Sequence, residues 1–153
     1  MLDLERQNPT AAHWSERQYE ELFQKTEGGC ERLVLVVVAE ASECGSVSGL
    51  RPESGASPLL GFLIAHHVYP EWELENLVVA PDSRRKGLAT ALFAALLTRT
   101  RETKSESVFL EVRESNHAAR ALYVRMGFQA GGRRKLYYAN PAEDAVLYRL
   151  KVP

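Results

Sequence analysis

The sequence has few of the features that mark a secreted, membrane-spanning or nucleic-acid-binding protein. Only two cysteines, Cys30 and Cys44, occur among 153 residues, so no disulfide scaffold is expected and a reducing cytoplasm is the predicted compartment. The longest apolar runs, such as Leu33–Ala39, are far too short to cross a membrane. The polar first ten residues do not resemble a signal peptide. The 19 basic residues are balanced by 20 acidic ones, so we expect neither a nucleic-acid partner nor a membrane partner.

Metal-ligand spacing is also missing from the sequence. The four histidines are scattered, and the adjacent pair His66 and His67 falls on a predicted strand. Neighbouring residues of a strand face opposite sides of the sheet, so these two imidazoles cannot share one ion. His13 and His117 have no histidine or cysteine at a suitable spacing. We therefore predict no metal site.

The length and composition are those of one globular domain over residues 1–153, with 45% apolar and 25% charged residues. The stretch Ser42–Pro58 is rich in Gly, Ser and Pro, which predicts a long hairpin loop. Strands alternate with helices in the second half, which favours a mixed central sheet flanked by helices. Periodicity and breaker residues predict three helices, over His13–Lys25 with Ser15 as N-cap, over Gly87–Arg101 and over Asn116–Met126. Strands are predicted over Leu33–Ala39, Leu59–Val68, Glu73–Val79 and Ser107–Val112, from Phe128 onward, and over Ala145–Leu150.

Two of these elements carry an expectation about burial. The strand Leu33–Ala39 is rich in β-branched residues, which predicts a buried strand. The helix Gly87–Arg101 is apolar around most of its first three turns, so we expect it to be largely buried. Gly127 follows the next helix at the position that favours a left-handed cap.

A basic turn joins the predicted strand Glu73–Val79 to the helix that follows it. The turn carries Arg84, Arg85 and Lys86, and the helix begins with Gly87, Leu88, Ala89 and Thr90. The free N–H groups of a helix N-terminus bind phosphate, small residues there let a ligand approach, and the basic side chains suit a pyrophosphate. A solvated turn before an ordinary core helix explains the same residues, because one glycine is too few for a dinucleotide fingerprint and no P-loop motif is present.

Two residues beyond this turn are candidates for proton transfer. Glu111 lies mid-strand, on the face opposite Val108, Leu110 and Val112. A partly buried carboxylate there could serve as a general base, although a surface ion pair with Arg113 explains it as well. Tyr123 lies mid-helix, where it is either a core tyrosine or a proton donor.

The segment Leu74–Phe128 resembles the GCN5-related N-acetyltransferase (GNAT) superfamily. The family's phosphate motif is Arg or Gln, two residues, Gly, one residue, and Gly or Ala. It is matched by Arg84-Arg85-Lys86-Gly87-Leu88-Ala89. The resemblance implies a mixed, mostly antiparallel sheet of six to seven strands flanked by helices. Further similarity lies in Asn76-Leu77-Val78-Val79, in Asn116 with Ala118-Ala119, in Ala121-Leu122-Tyr123 and in Met126-Gly127-Phe128.

The resemblance also implies acetyl-CoA as co-substrate and a role for each matching residue. Glu111 is then the base that accepts the amine proton, and Tyr123 the acid that protonates the thiolate. Direct attack of the amine in a ternary complex is the implied mechanism. The pyrophosphate is expected at backbone N–H groups from Arg85 to Thr90, beside the charges of Arg84 and Lys86. The remaining cofactor contacts are expected from Leu77, Val78, Val79 and Asn116.

Within the superfamily the chain is most similar to ribosomal-protein-alanine N-acetyltransferases, which modify a protein N-terminus. The similarity lies in Leu110–Arg113 with Ser115-Asn116, in Trp14-Ser15-Glu16, and in the segment Arg133–Ala145. A protein or peptide N-terminus is therefore the expected acceptor, and Tyr137 and Tyr138 either line its groove or are exposed strand aromatics. Acetylation of a small amine or a lysine side chain stays an alternative, as does an acyl-CoA-binding module without turnover.

Overall fold

The computed structural model describes residues 1–8, 11–12, 14–22, 31–39 and 57–153. Cys30, Cys44 and most of the predicted loop Ser42–Pro58 lie outside these ranges. The helices are α1 (Leu2–Arg6), α2 (Glu16–Glu21), α3 (Leu88–Glu102) and α4 (His117–Arg125), with a short 3-10 turn over Pro81–Ser83. The strands are β1 (Arg32–Val38), β2 (Leu59–Val68), β3 (Glu71–Val79), β4 (Ser107–Arg113), β5 (Gln129–Ala139) and β6 (Ala142–Lys151).

The six described strands form one sheet in the order β1-β2-β3-β4-β6-β5. Every neighbouring pair is antiparallel except β3 and β4, which run parallel because α3 crosses over between them. The predicted mixed and mostly antiparallel sheet flanked by helices is confirmed.

Each face of the sheet is covered by its own helices. On one face, α3 and α4 pack onto a core that includes Trp72, Leu96 and Leu110. On the other, α1 and α2 cover a smaller core built around Phe62 and Ile64. Burial of apolar side chains on both faces fixes the central strands β2 and β3 in place.

A β-bulge in β3 changes which face its side chains meet. Ile64 of β2 pairs with Asn76, and the next residue, Ala65, pairs with Leu74, so Glu75 is an extra residue in β3. Leu74 consequently lies in the core beneath α3, whereas Asn76 turns toward α1. The parallel pairing of β3 with β4 also stops at Leu74 and Leu110. The two strands therefore separate beyond this point and form a fork.

Two burial predictions are wrong. β1 is the edge strand of the described sheet, and Val36 and Val38 are 54% and 50% exposed because nothing in the described residues covers that side. α3 buries only one face, through Leu92, Phe93, Leu96 and Thr100. Alanines made the sequence of this helix apolar all round, but an alanine side chain carries little apolar area, so leaving it exposed costs little.

The ends of the remaining elements follow local sequence chemistry. The hydroxyl of Ser15 accepts from the Gln18 N–H, and the Gln18 side chain accepts from the Ser15 N–H, so Ser15 caps α2 as predicted. Gly127 has φ of 94°, the left-handed conformation expected after α4. The short α1 was not predicted. No helix among the described residues has both the length and the apolarity to span a membrane.

Candidate active site

The fork between β3 and β4 opens into a cavity of about 90 Å³. Its walls come from β3, the end of β4, α4, the bulged part of β5 and the segment between α1 and α2. Five of the residues predicted from the sequence line it together: Leu77, Glu111, Asn116, Tyr123 and Tyr138. The sequence prediction therefore converges on one place in the fold.

Glu111 lies one residue past the last β3–β4 pair, where its carboxylate is sheltered but reachable from the cavity. Its side chain is 12% exposed, and its Oε1 lies 3.1 Å from Nη1 of Arg134 on β5. The alternative pairing with Arg113 is wrong, because Arg113 instead pairs with Glu143 at 2.8 Å. Arg134 itself is more than half exposed, so this ion pair can open at little cost.

A second carboxylate near Glu111 was missed by sequence reasoning. Glu73 lies on β3, and burial raises the pKa of its carboxyl, with further upward contributions from the charges of Glu75 and Glu111. Like-charged carboxylates that interact this way hold a proton or attract a cation more readily than an isolated one. The guanidinium charges of Arg134 and Arg32 act on this pKa in the opposite direction, so Glu73 belongs to a mixed group of charges.

Tyr123 is buried in α4 and lines the cavity opposite β3. Burial raises the pKa of its phenol well above the ordinary value of tyrosine, so the hydroxyl keeps its proton at neutral pH. Asn116 is the N-cap of α4, and its side-chain oxygen accepts from the Ala119 N–H at 3.2 Å. Asn116 also lines the cavity, so a contact with a cofactor stays a prediction beside this capping role.

The two tyrosines of β5 differ in their placement. The register of β5 against β6 shifts between Arg134 and Tyr138. Within this bulge Leu136 has φ of 50°, and its N–H donates to Oδ1 of Asp144 at 2.9 Å. Tyr138 lines the cavity, whereas Tyr137 is 49% exposed and lies outside its lining. Burial and the Glu111 carboxylate both raise the pKa of Tyr137, so it lies close to the candidate base.

The basic turn before α3 has an open N-terminal end. Gly87 has φ of 81° and supplies no side-chain cap. The first intrahelical bond runs from the Ala91 N–H to the Gly87 oxygen at 2.9 Å, so the N–H groups of Leu88, Ala89 and Thr90 precede the helix's own hydrogen bonding. Such N–H groups, at the positive end of the helix dipole, are able to hold a pyrophosphate.

Gly87 and Arg84 each have a structural role in this turn, beside the phosphate-binding role predicted for it. A Cβ at Gly87 would meet no atom within 4 Å, so the positive φ, and not crowding, requires glycine there. Arg84 turns back, with its guanidinium donating to Oδ1 of Asn8 and to the Val79 oxygen. Arg84 therefore ties the turn to the segment after α1, although it is exposed like Arg85 and Lys86.

The predicted contact strand Leu77–Val79 is hydrogen-bonded on one side only within the described residues. It pairs with β2, while its other edge faces the fork that β4 has left. Only Leu77 lines the cavity. The Val78 side chain is buried beneath α1 and α2, so any contact of Val78 with a ligand is limited to its backbone.

The wall supplied by the segment between α1 and α2 was not predicted. Ala11 and Ala12 line the cavity beside Asn76. They are anchored by the fully buried carboxylate of Glu5, which accepts from Asn76 Nδ2 at 2.6 Å and from the Trp14 N–H at 2.9 Å. This buried carboxylate joins the segment after α1 to the bulge in β3. No cluster of three histidine, cysteine or carboxylate side chains suited to a metal occurs among the residues described.

Forked strands and a helix without a side-chain cap after a basic turn lie within a segment that matches a known protein family. The sequence matches the Acetyltransferase (GNAT) family over residues 3–128. The chain belongs to this family. The match covers α1 to α4 and therefore both sides of the fork.

Individual GNAT relatives point to one branch. The chain is 36% identical over 96 residues to the ribosomal protein bS18-alanine N-acetyltransferase of Escherichia coli K12, covering 61% of this chain and 65% of that protein. It is 35% identical over 89 residues to a Bacillus subtilis protein described as a putative enzyme of the same name, covering 58% and 59%. The chain thus spans about three fifths of the length of these curated relatives.

The fold agrees over a greater length. The crystal structure of the ribosomal-protein-S18-alanine N-acetyltransferase from Escherichia coli superposes with a TM-score of 0.71 at 28% identity. That similarity covers 99% of this chain and 84% of the other. It therefore includes the β5–β6 ribbon, which lies beyond the family match.

Proposed function

We propose that this GNAT protein transfers an acetyl group from acetyl-CoA to the α-amine of a protein N-terminus. The observation that carries the proposal is the meeting of Glu111 and Tyr123 in one cavity where β3 and β4 separate. The similarity to the Escherichia coli enzyme supports a protein N-terminus as the acceptor.

Acetyl-CoA supplies the activated acetyl thioester. In our proposal the N–H groups of Leu88, Ala89 and Thr90 hold its pyrophosphate, and the free backbone edge of Leu77–Val79 holds the pantetheine arm. One N–H of that edge stabilises the developing charge on the thioester oxygen, as oxyanion-hole donors do. The residues present fit this role, since this edge faces the fork instead of another strand.

Glu111 accepts the proton of the attacking amine, directly or through a water molecule. A chain α-amine has a pKa of about 7.7–8.0 against about 10.4 for lysine, so one carboxylate suffices near neutral pH. Tyr123, kept protonated by its burial, donates to the leaving thiolate, whose free thiol has a pKa of about 8.5.

The test is acetyl-CoA turnover, followed as free thiol release, with N-terminal peptides, the same peptides blocked at the α-amine, and small amines. We expect release with free peptides and none with blocked ones. Release with small amines alone would contradict the protein acceptor. Binding of acetyl-CoA without release from any acceptor would contradict catalysis and favour an acyl-CoA-binding module.

A further inference from the structure

Arg113, at the end of β4, contacts several groups of the neighbouring β5–β6 ribbon beside the cavity. Its Nη1 lies 2.8 Å from Oε1 of Glu143, and it also donates to the Pro141 oxygen at 3.4 Å. Its Nη2 donates to the Asn140 oxygen at 3.1 Å. The guanidinium carbon lies 4.1 Å from the centre of the Tyr138 ring. One planar group thus grips the β5–β6 turn and stacks on an aromatic ring that lines the cavity.

The ion pair at the centre of this arrangement is sheltered from solvent. The side chains of Arg113 and Glu143 are only 11% and 15% exposed. The second oxygen of Glu143 accepts from the Ser115 N–H at 3.1 Å, so the pair also reaches the turn before α4. Sheltered pairs contribute little net stability, because desolvation offsets their attraction. Nε of Arg113 is also buried without a hydrogen-bond partner among the described residues. An unpaired buried donor lowers the stability of the folded state, so folding stability alone does not explain this arrangement.

Tyr138 is held by its own strand on one side only, since it pairs with Glu143 of β6 while the residues just before it leave the register. The β5–β6 register is interrupted between Arg134 and Tyr138, so ladder hydrogen bonds do not set the direction of the segment before it. Among the residues that the structure describes, the Tyr138 ring meets the exposed Tyr137 ring, edge-on at 5.1 Å, and the Arg113 guanidinium. Only Arg113 is attached to the same strand as Glu111.

Resting on the proposed function, we propose that Arg113 is a positioning residue that sets acceptor affinity by holding the Tyr138 ring over the acceptor side of the cleft. Arg113 follows Glu111 by two residues on β4, so it fixes the distance between the aromatic wall and the base. The acceptor chain is then gripped between Tyr138 and the opposing segment at Ala11 and Ala12, which lines the same cavity.

The test is Arg113→Lys in the full chain, with thiol release measured against both substrates. Lysine keeps the charge and the pairing with Glu143 but loses the planar group that stacks and reaches two carbonyls. We expect the KM for the acceptor peptide to rise roughly fivefold to tenfold, as loss of a desolvated cation–π contact predicts. The KM for acetyl-CoA should stay within about twofold, because the pyrophosphate and the pantetheine arm are proposed to bind at α3 and β3, whereas the Arg113 guanidinium contacts the β5–β6 turn. Arg149→Lys is the matched control, since Arg149 pairs with Glu71 at the other end of the sheet.

A double-mutant comparison separates positioning from general loosening. If Arg113 acts through Tyr138, adding Arg113→Lys to Tyr138→Leu should raise the peptide KM no further. Glu143→Gln, which weakens the same grip, gives a second route if Arg113→Lys does not fold. Additive effects, or a peptide KM unchanged by both Arg113→Lys and Glu143→Gln in an active enzyme, would overturn the inference. A wild-type enzyme without turnover on any peptide would instead overturn the proposed function.

Discussion

Replacing Tyr123 with phenylalanine removes one hydroxyl and leaves the packing of α4 intact. The ring of Tyr123 packs against Phe128 at 5.6 Å and Tyr148 at 6.3 Å between centroids, and phenylalanine keeps both contacts. The hydroxyl is buried, so its removal should change the free energy of unfolding by less than about 1 kcal/mol in either direction. Loss of a general acid, by contrast, should lower kcat by roughly 10²–10⁴-fold, or about 3–5 kcal/mol of transition-state stabilisation.

The assay is thiol release at saturating acetyl-CoA and peptide, paired with urea unfolding of the same samples. Tyr148→Phe is the control: Tyr148 is as buried as Tyr123, its hydroxyl contacts Arg120 Nε at 3.4 Å, and it does not line the fork cavity. We expect this control to keep its kcat. If Tyr123→Phe retained kcat within about threefold, or lost activity only in proportion to stability, Tyr123 would not be the acid.

Three further predictions follow from other parts of the structure. Gly87→Ala should weaken acetyl-CoA binding in calorimetry and lower the free energy of unfolding by about 1–2 kcal/mol, because φ is 81° there and a non-glycine residue pays that cost in the left-handed conformation. Unchanged affinity and stability would refute this conformation of the turn. Glu5→Gln should cost about 1–3 kcal/mol in urea unfolding, since Asn76 Nδ2 or the Trp14 N–H, which both donate to the buried carboxylate, would face an amide NH₂. The same change at exposed Glu20 should be neutral. Burial raises the pKa of Tyr123 above its usual range and that of Tyr138 to about 12. The unfolded chain therefore loses these protons first, and stability present below pH 10 should fall as the pH rises above it. Tyr123→Phe should make that fall shallower, and an identical slope would contradict the burial of this phenol.

Much of the fold could be predicted because local sequence and tertiary structure agree. The alternation of Val108, Leu110 and Val112 identified both β4 and its buried face, and Gly127 marked the end of α4. Burial was harder to predict. The strand at the edge of the sheet is as β-branched as a central one, and only its pairing partners determine its exposure.

The candidate site was predicted in its residues but not in its construction. The fork begins beside the bulge at Glu75, which no local sequence signal marks and which the pairing of β3 with β2 reveals. The partner of Glu111 comes from β5, so sequence proximity wrongly favoured Arg113. A fully buried carboxylate such as Glu5 is unusual, because charged side chains are mostly exposed. The residues next to Glu5 in the sequence do not indicate that Asn76 and the Trp14 N–H donate to it.

The most direct test of the proposed function is the site of acetylation in a peptide that carries both a free α-amine and an internal lysine. The peptide is incubated with acetyl-CoA and either wild-type enzyme or Glu111→Gln, and the acetyl group is located by mass spectrometry. We expect acetyl on the α-amine alone with wild-type enzyme, and a rate lower by roughly 10²–10⁴-fold with the variant. Acetyl on the lysine, or an undiminished rate in Glu111→Gln, would contradict the proposed acceptor or the proposed base, respectively.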